Sequence, residues 1–438
     1  MLVTAVAFEA QSVSTAMPAV ASDLGQLDLY AWAFSAFMIP QMVAIVVGGR
    51  LSDRFGPVLP LRIGVVVFAV GLILSASAWS MPMFLAGRFV QGMGGGLINL
   101  SLMVVVGRAF PPEETGRVMT WFSFAWMLPS FIGPSAAAWI VSVASWHWVF
   151  WAVLPFVALG IALLTPALAN VDMPPLVSES DAARAPLWAA FGAAVGVALV
   201  QAAGQELQWW SAPLAMLGLV AIIVSLRPLM PAGWRPLAKG LPAVIPTRAL
   251  ATGAFFGFVA FQPLMLNELH GYGLEVGGIV LTIASLGWTA GSWLQSRPWL
   301  RLSRDAIVST GVVLVSVGLT VVAVFTLSVG WPLPVLVAGG VVAGAGMGLT
   351  SSSTSVLVIQ LSDAHQLGHN TSSLQVAEAM GNALIVGLAG TLFAAFASSP
   401  ALSFGAPAVL VAGCAWLAFA ASRRIGHVEN LSARLKPS

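Results

Sequence analysis

Long apolar runs separated by short polar breaks fill this chain from end to end. Fourteen runs stand out, at 2–21, 31–49, 60–79, 82–106, 117–141, 147–166, 186–204, 209–227, 247–267, 275–296, 305–327, 333–360, 371–397 and 402–422. About 20 residues rising ~1.5 Å each cross a hydrocarbon layer of about 30 Å. Backbone polar groups in hydrocarbon must be satisfied within the segment, so the pattern predicts helices throughout.

Only 8% of residues are charged and 58% are hydrophobic, with a mean hydropathy of +0.93. A soluble domain carries about 25% charged residues, so the composition points to a polytopic membrane protein. The single Cys414 cannot form an internal disulfide. No basic run tracks phosphates, so nucleic acid is not an expected partner. No Walker loop, Ser/His/Asp order or cysteine cluster is present, so neither ATP-driven transport nor an enzyme is expected. His365 and His369 are four apart with only Asp363 nearby, too few ligands to predict a metal site. No cofactor is expected. The first run has no basic lead, is too long for a signal peptide and holds Glu9 and Gln11, so a cleaved signal peptide is not expected. It begins almost at residue 1, so either the tail is very short or the true start lies upstream.

Orientation follows from lysine and arginine. With the N-terminus cytoplasmic, 17 of the 18 basic residues fall on or near the inner side; the exception, Arg88, lies within a span. Two halves repeat weakly. "GMGGG" (92–96) in the fourth span matches "GGVVAGAGMG" (339–348) in the twelfth, where Gly340, Gly344 and Gly348 are four apart. Small-residue faces of this kind let helices approach closely. The expected all-α architecture is a six-helix bundle at 1–166, a linker and extra transmembrane hairpin at 167–246, a second six-helix bundle at 247–426 and a cytoplasmic tail at 427–438.

"GGRLSDRFGPVLPL" (48–61) joins the second and third spans. Its Gly49, Asp53, Arg54 and Gly56 resemble the signature loop of the major facilitator superfamily, where such a loop helps hold the cytoplasmic gate closed. The basic pair usual in that family is here Pro57 and Val58. "FLAGRFVQGMGGG" (84–96), with Arg88, Gln91, Gly92 and Gly94, resembles the family's motif in the fourth helix, whose arginine is implicated in proton movement. An arginine snorkelling to the outer interface is the structural alternative. "FIGPSAAAW" (131–139) resembles the antiporter kink motif at Gly133 and Pro134, but Pro129, Ala137 and Ala138 stand where glycines are usual. "WHWVFWAVLP" (146–155), an aromatic anchor at the outer interface, and "FQPLMLNELHGYG" (261–273) are similar to the fourteen-helix drug:proton antiporter branch.

"FEAQSVSTAMP" (8–18) resembles that branch's first-helix motif, with Glu9 at the acidic position and Pro18 at the proline. A charge in mid-bilayer costs about 2.5–3.5 kcal/mol on the mildest scales and marks function by default. Burial raises a carboxylate's pKa and a nearby arginine lowers it, so a group between those pulls can exchange a proton. Arg88 is the expected counter-charge; a Glu9 lying among headgroups is the alternative. Glu378 in the thirteenth span is assigned to the cytoplasmic gate with the 48–61 loop. Gln11, Gln41, Asn99, Trp126, Gln262, Trp288 and Asn382 are candidate cavity residues. The resemblance implies a monomeric proton-coupled transporter of small molecules in a bacterial cytoplasmic (inner) membrane, with both termini cytoplasmic. Export of apolar or cationic compounds is the first reading. Uptake or uniport of a metabolite or lipid on the same fold, and a non-transporting membrane receptor or assembly partner, are the alternatives.

Overall fold

The computed structural model describes residues 2–109, 131–169, 186–205, 208–231, 233–235, 238–297, 299–328, 330–362 and 366–429, with Ala125 and Pro129 besides. Among these the secondary structure is entirely helical. The helices are α1 (Leu2–Leu24), α2 (Trp32–Phe55), α3 (Val58–Ala76), α4 (Met81–Ala109), α5 (Phe131–Val143), α6 (His147–Trp151), α7 (Leu154–Ala169), α8 (Leu187–Ala203), α9 (Ser211–Leu229), α10 (Leu241–Glu268), α11 (Leu274–Gln295), α12 (Arg304–Leu327), α13 (Leu333–Gln360), α14 (Leu367–Ala395) and α15 (Pro400–Ser422). α6 and α7 form one span. Eleven spans among the described residues are long and apolar enough to cross a membrane; α1, α5 and α8 bring the number to fourteen. Large apolar side chains such as Val66, Met216, Leu217 and Ile223 are more than half exposed, a surface that only a bilayer accommodates.

Among the described residues α1–α4, α6 and α7 pack together as one group and α10–α15 as another, here called the first and second bundles, with the α8–α9 hairpin alongside. α1 lies against α10 and α11, and α2 lies against α14, which makes a seam between the bundles; α8 touches both α2 and α14. Helix alternation gathers Arg50, Arg54, Arg62, Arg227, Lys239, Arg301, Arg423 and Arg424 at one end of the molecule, here called the basic face. The 25–31 connection and Trp79, Trp209 and Trp331, all at least half exposed, lie at the far face.

Glycines set the spacing within each bundle, and they do so in the same way twice. A Cβ on Gly92 would stand 2.1 Å from the Phe37 carbonyl of α2, and one on Gly94 2.4 Å from the Phe68 nitrogen of α3. Correspondingly, a Cβ on Gly348 would stand 2.1 Å from the Trp288 carbonyl of α11, and one on Gly346 2.3 Å from the Gly311 carbonyl of α12. Lipid tails are as apolar as leucine, so close backbone packing, rather than expulsion of water, is what joins such helices.

Several boundaries differ from the sequence reading. α2 continues to Phe55, so Gly49, Asp53 and Arg54 ride on its last two turns and only Gly56, at φ +79°, and Pro57 form the turn. The ninth span, expected from 247, begins at Leu241 with Pro242 in its first turn, which puts Arg248 inside a helix. Trp146, expected in the interfacial belt, is buried: it packs on Phe84 and Phe150 and its Nε1 donates to Asp23 at 2.8 Å. A free indole N–H in the core would be orphaned, and the Asp23 carboxylate satisfies it.

Alanine at Gly92 or Gly348 is expected to lower stability by about 1–3 kcal/mol, the usual consequence of overpacking. Gly413, whose Cβ position has nothing within 4 Å, serves as the control and should tolerate alanine. Thermal midpoints of the purified proteins in detergent check this; three equal midpoints would show that the two glycine faces are not under steric constraint.

Candidate functional site

Glu9 and Arg88 meet inside the first bundle. The Glu9 carboxylate and the Arg88 guanidinium form a hydrogen-bonded ion pair whose side chains are 1% and 4% exposed. α1 supplies the acid and α4 the base. Arg88 is held from three further directions. Its Nε donates to the Ala33 carbonyl of α2 at 3.1 Å, Nη1 donates to Gln91 Oε1 at 3.0 Å, and the guanidinium lies 4.6 Å from the Phe37 ring centroid. Gln91 Oε1 also accepts from Ser75 Oγ of α3 at 3.2 Å. The other Glu9 oxygen has no hydrogen-bond partner among the described residues. The arginine is therefore over-determined by α2 and α4, while the carboxylate depends on the arginine alone. Neither the snorkelling arginine nor the headgroup glutamate matches this placement.

A second ion pair lies in the other bundle. Arg248 Nη2 of α10 is 3.0 and 3.2 Å from the two carboxylate oxygens of Glu378 on α14. Arg248 Nη1 also donates to the Ser351 carbonyl and, at 3.0 Å, to Thr354 Oγ1, both on α13. This pair joins helices of one bundle.

The seam is closed toward the far face. Tyr30 Oη donates to the Ala260 carbonyl of α10 at 2.7 Å, and its ring packs on Phe34 and Phe261. Phe261 packs in turn on Phe393 of α14 at 5.6 Å. Gly390 of α14 admits Ala31 so closely that a Cβ would stand 2.1 Å from the alanine's own. On the other flank Ser135 Oγ is 2.9 Å from Thr282 Oγ1, and Gly278 of α11 abuts the Pro134 carbonyl. The Gly133–Pro134 step also touches α1, where Ser12 Oγ donates to the Gly133 carbonyl at 3.3 Å. Nothing in the sequence patterns foretold Tyr30, which reads as a loop residue.

The remaining candidates scatter. Gln11, Gln41 and Asn99 are partly buried on α1, α2 and α4. Gln262 points away from the seam, into a cavity of about 30 Å³ between α10, α12 and α15, and neither amide atom has a partner among the described residues. Trp288 packs on Phe255 and Phe256 at 5.3 and 6.2 Å. Asn382 is 8% exposed on α14. Gly49 and Asp53 are partly buried, and Arg54 stacks on the adjacent Phe55 ring. Trp126 and His365 lie outside the described residues; His369 Nε2 is 3.0 Å from the Met230 carbonyl.

The sequence profile of the Major Facilitator Superfamily matches residues 1–303. Multidrug resistance protein 3 of Bacillus subtilis (strain 168) is 34% identical over 149 residues, a match that spans 34% of this chain and only 29% of that protein. The multidrug efflux pump SdrM of Staphylococcus aureus (strain N315) is 24% identical over 393 residues, covering 89% of this chain and 87% of the pump. Among solved structures, a D-xylose-proton symporter superposes with a TM-score of 0.66 at 15% identity, over 97% of both chains. At that identity the likeness concerns the fold.

Removing one member of a buried ion pair strands the other and destabilises by about 3–5 kcal/mol. Arg88→Leu is therefore expected to destabilise strongly, and Glu9→Gln added to it to restore part of the loss. Thermal midpoints of the two single variants and the double variant in detergent supply the cycle; strict additivity would show that the two side chains are not coupled.

Proposed function

The chain belongs to the Major Facilitator Superfamily, and on that premise we propose that it is a proton-coupled secondary transporter working by alternating access. The proposed carrier of the proton is Glu9, with Arg88 as its counter-charge. One observation carries this reading: the only described partner of a carboxylate 1% exposed is an arginine that is itself held by other groups. When Glu9 takes a proton its attraction to Arg88 lapses. Arg88 stays with Ala33, Gln91 and Phe37, so α4 and α2 keep their positions, and α1 is the element released. α1 also packs on α10 and α11 of the other bundle, so the charge on Glu9 is felt at the seam. A proton shifts the equilibrium between two seam geometries only by binding them unequally, and the tie between Glu9 and Arg88 supplies that inequality.

The basic face is taken as cytoplasmic, following the distribution of arginine and lysine. The conformation described here, with the far face shut by Tyr30, Phe261 and Phe393, is then the inward-facing one. In the opposite conformation the end of α2 and its turn, with Gly49, Asp53, Arg54 and Gly56, are the proposed clasp of the cytoplasmic side, and the Gly133–Pro134 step is the proposed bend point of α5 against α1 and α11.

Two directions of transport use this machinery. Export of apolar or cationic small molecules has the support of the multidrug relatives, one of them matched over 89% of this chain. Uptake or uniport of a metabolite or lipid has the support of the near full-length likeness to a proton symporter. The alanines at 137 and 138, where exporters of the resembled branch carry glycine, also favour it.

Proteoliposomes with an imposed pH gradient test the coupling, with ethidium as the probe for export and a panel of labelled sugars, peptides and nucleosides for uptake. Glu9→Gln is expected to lose gradient-driven accumulation at least tenfold and to retain downhill exchange. The gradient polarity that drives accumulation in the wild type gives the direction. Equal gradient-driven flux through both proteins would remove Glu9 as the proton carrier.

A further inference from the structure

α11 shows the bilayer one stripe of side chains. Ile279, Leu286 and Trp293 recur every seven residues, which is one face of a helix, and each is at least half exposed. The opposite face is buried: Gly277 packs on Pro263 of α10, and Gly287 and Gly291 pack on α13. From Ile279 to Trp293 the stripe rises about 21 Å, most of a hydrocarbon layer of about 30 Å, and it ends at the basic face. α12 repeats the pattern, with Thr310, Val317 and Val324 exposed at the same spacing. The short connection between these two helices therefore lies where the lipid-facing surface meets the basic face.

That connection interleaves arginine with tryptophan. Four residues after Trp293 comes Arg297, whose guanidinium carbon is 4.0 Å from the Trp293 ring centroid. The stack holds a cation at the end of the apolar stripe. Leu300 N donates to the Arg297 carbonyl at 3.1 Å, which turns the chain, and Trp299, Arg301 and Leu302 are exposed around that turn. Neither Arg297 nor Arg301 has a carboxylate partner among the described residues. The nearest acid in the sequence, Asp305, is engaged elsewhere: it accepts from Val428 N at 3.0 Å and lies 3.7 Å from His427 Nδ1. Arg304, the third arginine of the segment, is buried and donates to Gln295 Oε1 at 2.7 Å.

We propose that Arg297 and Arg301, flanked by Trp293 and Trp299, bind the phosphate of an anionic phospholipid at the basic face. A guanidinium stays charged and presents its N–H donors in a plane that matches phosphate oxygens. Indole rings favour the boundary between headgroups and hydrocarbon. A free anion would use the arginines and leave the tryptophans without a role. A zwitterionic headgroup brings its own cation, which offsets the attraction of two arginines. A lipid of net negative charge uses both kinds of side chain. The assignment needs neither Glu9 nor a direction of transport.

Native mass spectrometry of the full chain in detergent micelles tests it, with phosphatidylglycerol and phosphatidylcholine of equal acyl length as probes. The wild type is expected to bind phosphatidylglycerol at least fivefold more tightly than phosphatidylcholine. Arg297→Gln combined with Arg301→Gln should weaken phosphatidylglycerol binding at least fivefold and phosphatidylcholine binding less than twofold. Arg424→Gln alters another exposed arginine of the same face and should change either affinity less than twofold. Thermal midpoints verify that each variant is folded. Equal affinity of the wild type for the two lipids, unchanged phosphatidylglycerol binding in the double variant, or an equal loss in Arg424→Gln would overturn the assignment. A last arm adds excess inorganic phosphate at constant ionic strength. Retention of the lipid is expected; its full displacement would assign the arginines to a free anion and overturn the lipid site.

Discussion

A charge cannot stay alone in hydrocarbon, and the tie between Glu9 and Arg88 is this chain's answer to that constraint. The guanidinium is fixed by a carbonyl, an amide oxygen and an aromatic face, all belonging to α2 or α4. Those contacts make the site stiff on one side. The carboxylate rides on α1, whose remaining contacts run to α5, α6, α7 and the second bundle. The pair is thus the junction between a rigid half and an element that can move. Everything proposed about coupling follows from that asymmetry, since two equally well-held partners would convert a change of protonation into local strain rather than into displacement of a helix.

Stiffness of this kind needs backbones that cannot drift, and the glycine faces of α4 and α13 provide it. Gly92 and Gly94 grip α2 and α3 just one turn beyond Arg88, so the helix that carries the base is locked to the helix that carries its carbonyl partner, Ala33. The second bundle repeats the device, and Gly344 and Gly348 lock α13 to α11 shortly before Ser351 and Thr354 take hold of Arg248. Where helices must separate, at the far end of the seam, the contacts are of another sort. They are aromatic rings, one tyrosine hydrogen bond and an alanine seated against Gly390, all of which can part without leaving a charge exposed.

The helical spans and the glycine repeat were legible in the sequence because each is a one-dimensional signal: apolar length, and residues four apart. Glu9 and Arg88 were legible because each breaks such a signal. What stayed hidden were contacts that depend on helix ends. Arg248 was counted with the cytoplasmic arginines because apolar length was measured from 247, and so its pairing with Glu378 went unread. Pro242 after Gly240 marks the earlier start, and the proline-first rule would have found it. Similarly, the 48–61 segment read as a loop although α2 runs to Phe55, because helices that emerge at a basic face turn polar before they end. Tyr30 gave no signal and Trp146 only that of an interfacial anchor; a polar aromatic near a helix end reads the same whether its hydrogen bond goes to water, to Ala260 or to Asp23.

The two ion pairs differ in exposure. Glu9 and Arg88 are sealed, at 1% and 4% exposure, so only a species as small as a proton exchanges there without unpacking α1. Glu378 is 24% exposed, and its arginine is anchored to α13. The sealed pair sits where α1 meets α4, and the more exposed pair joins α10 to α14 within the second bundle. A transporter that bound proton and substrate at one carboxylate would link them by direct competition. Under the proposed coupling, the linkage between proton and substrate passes through the relative position of the bundles instead, because each ligand prefers one seam geometry. Coupling then survives wide variation in the substrate's shape.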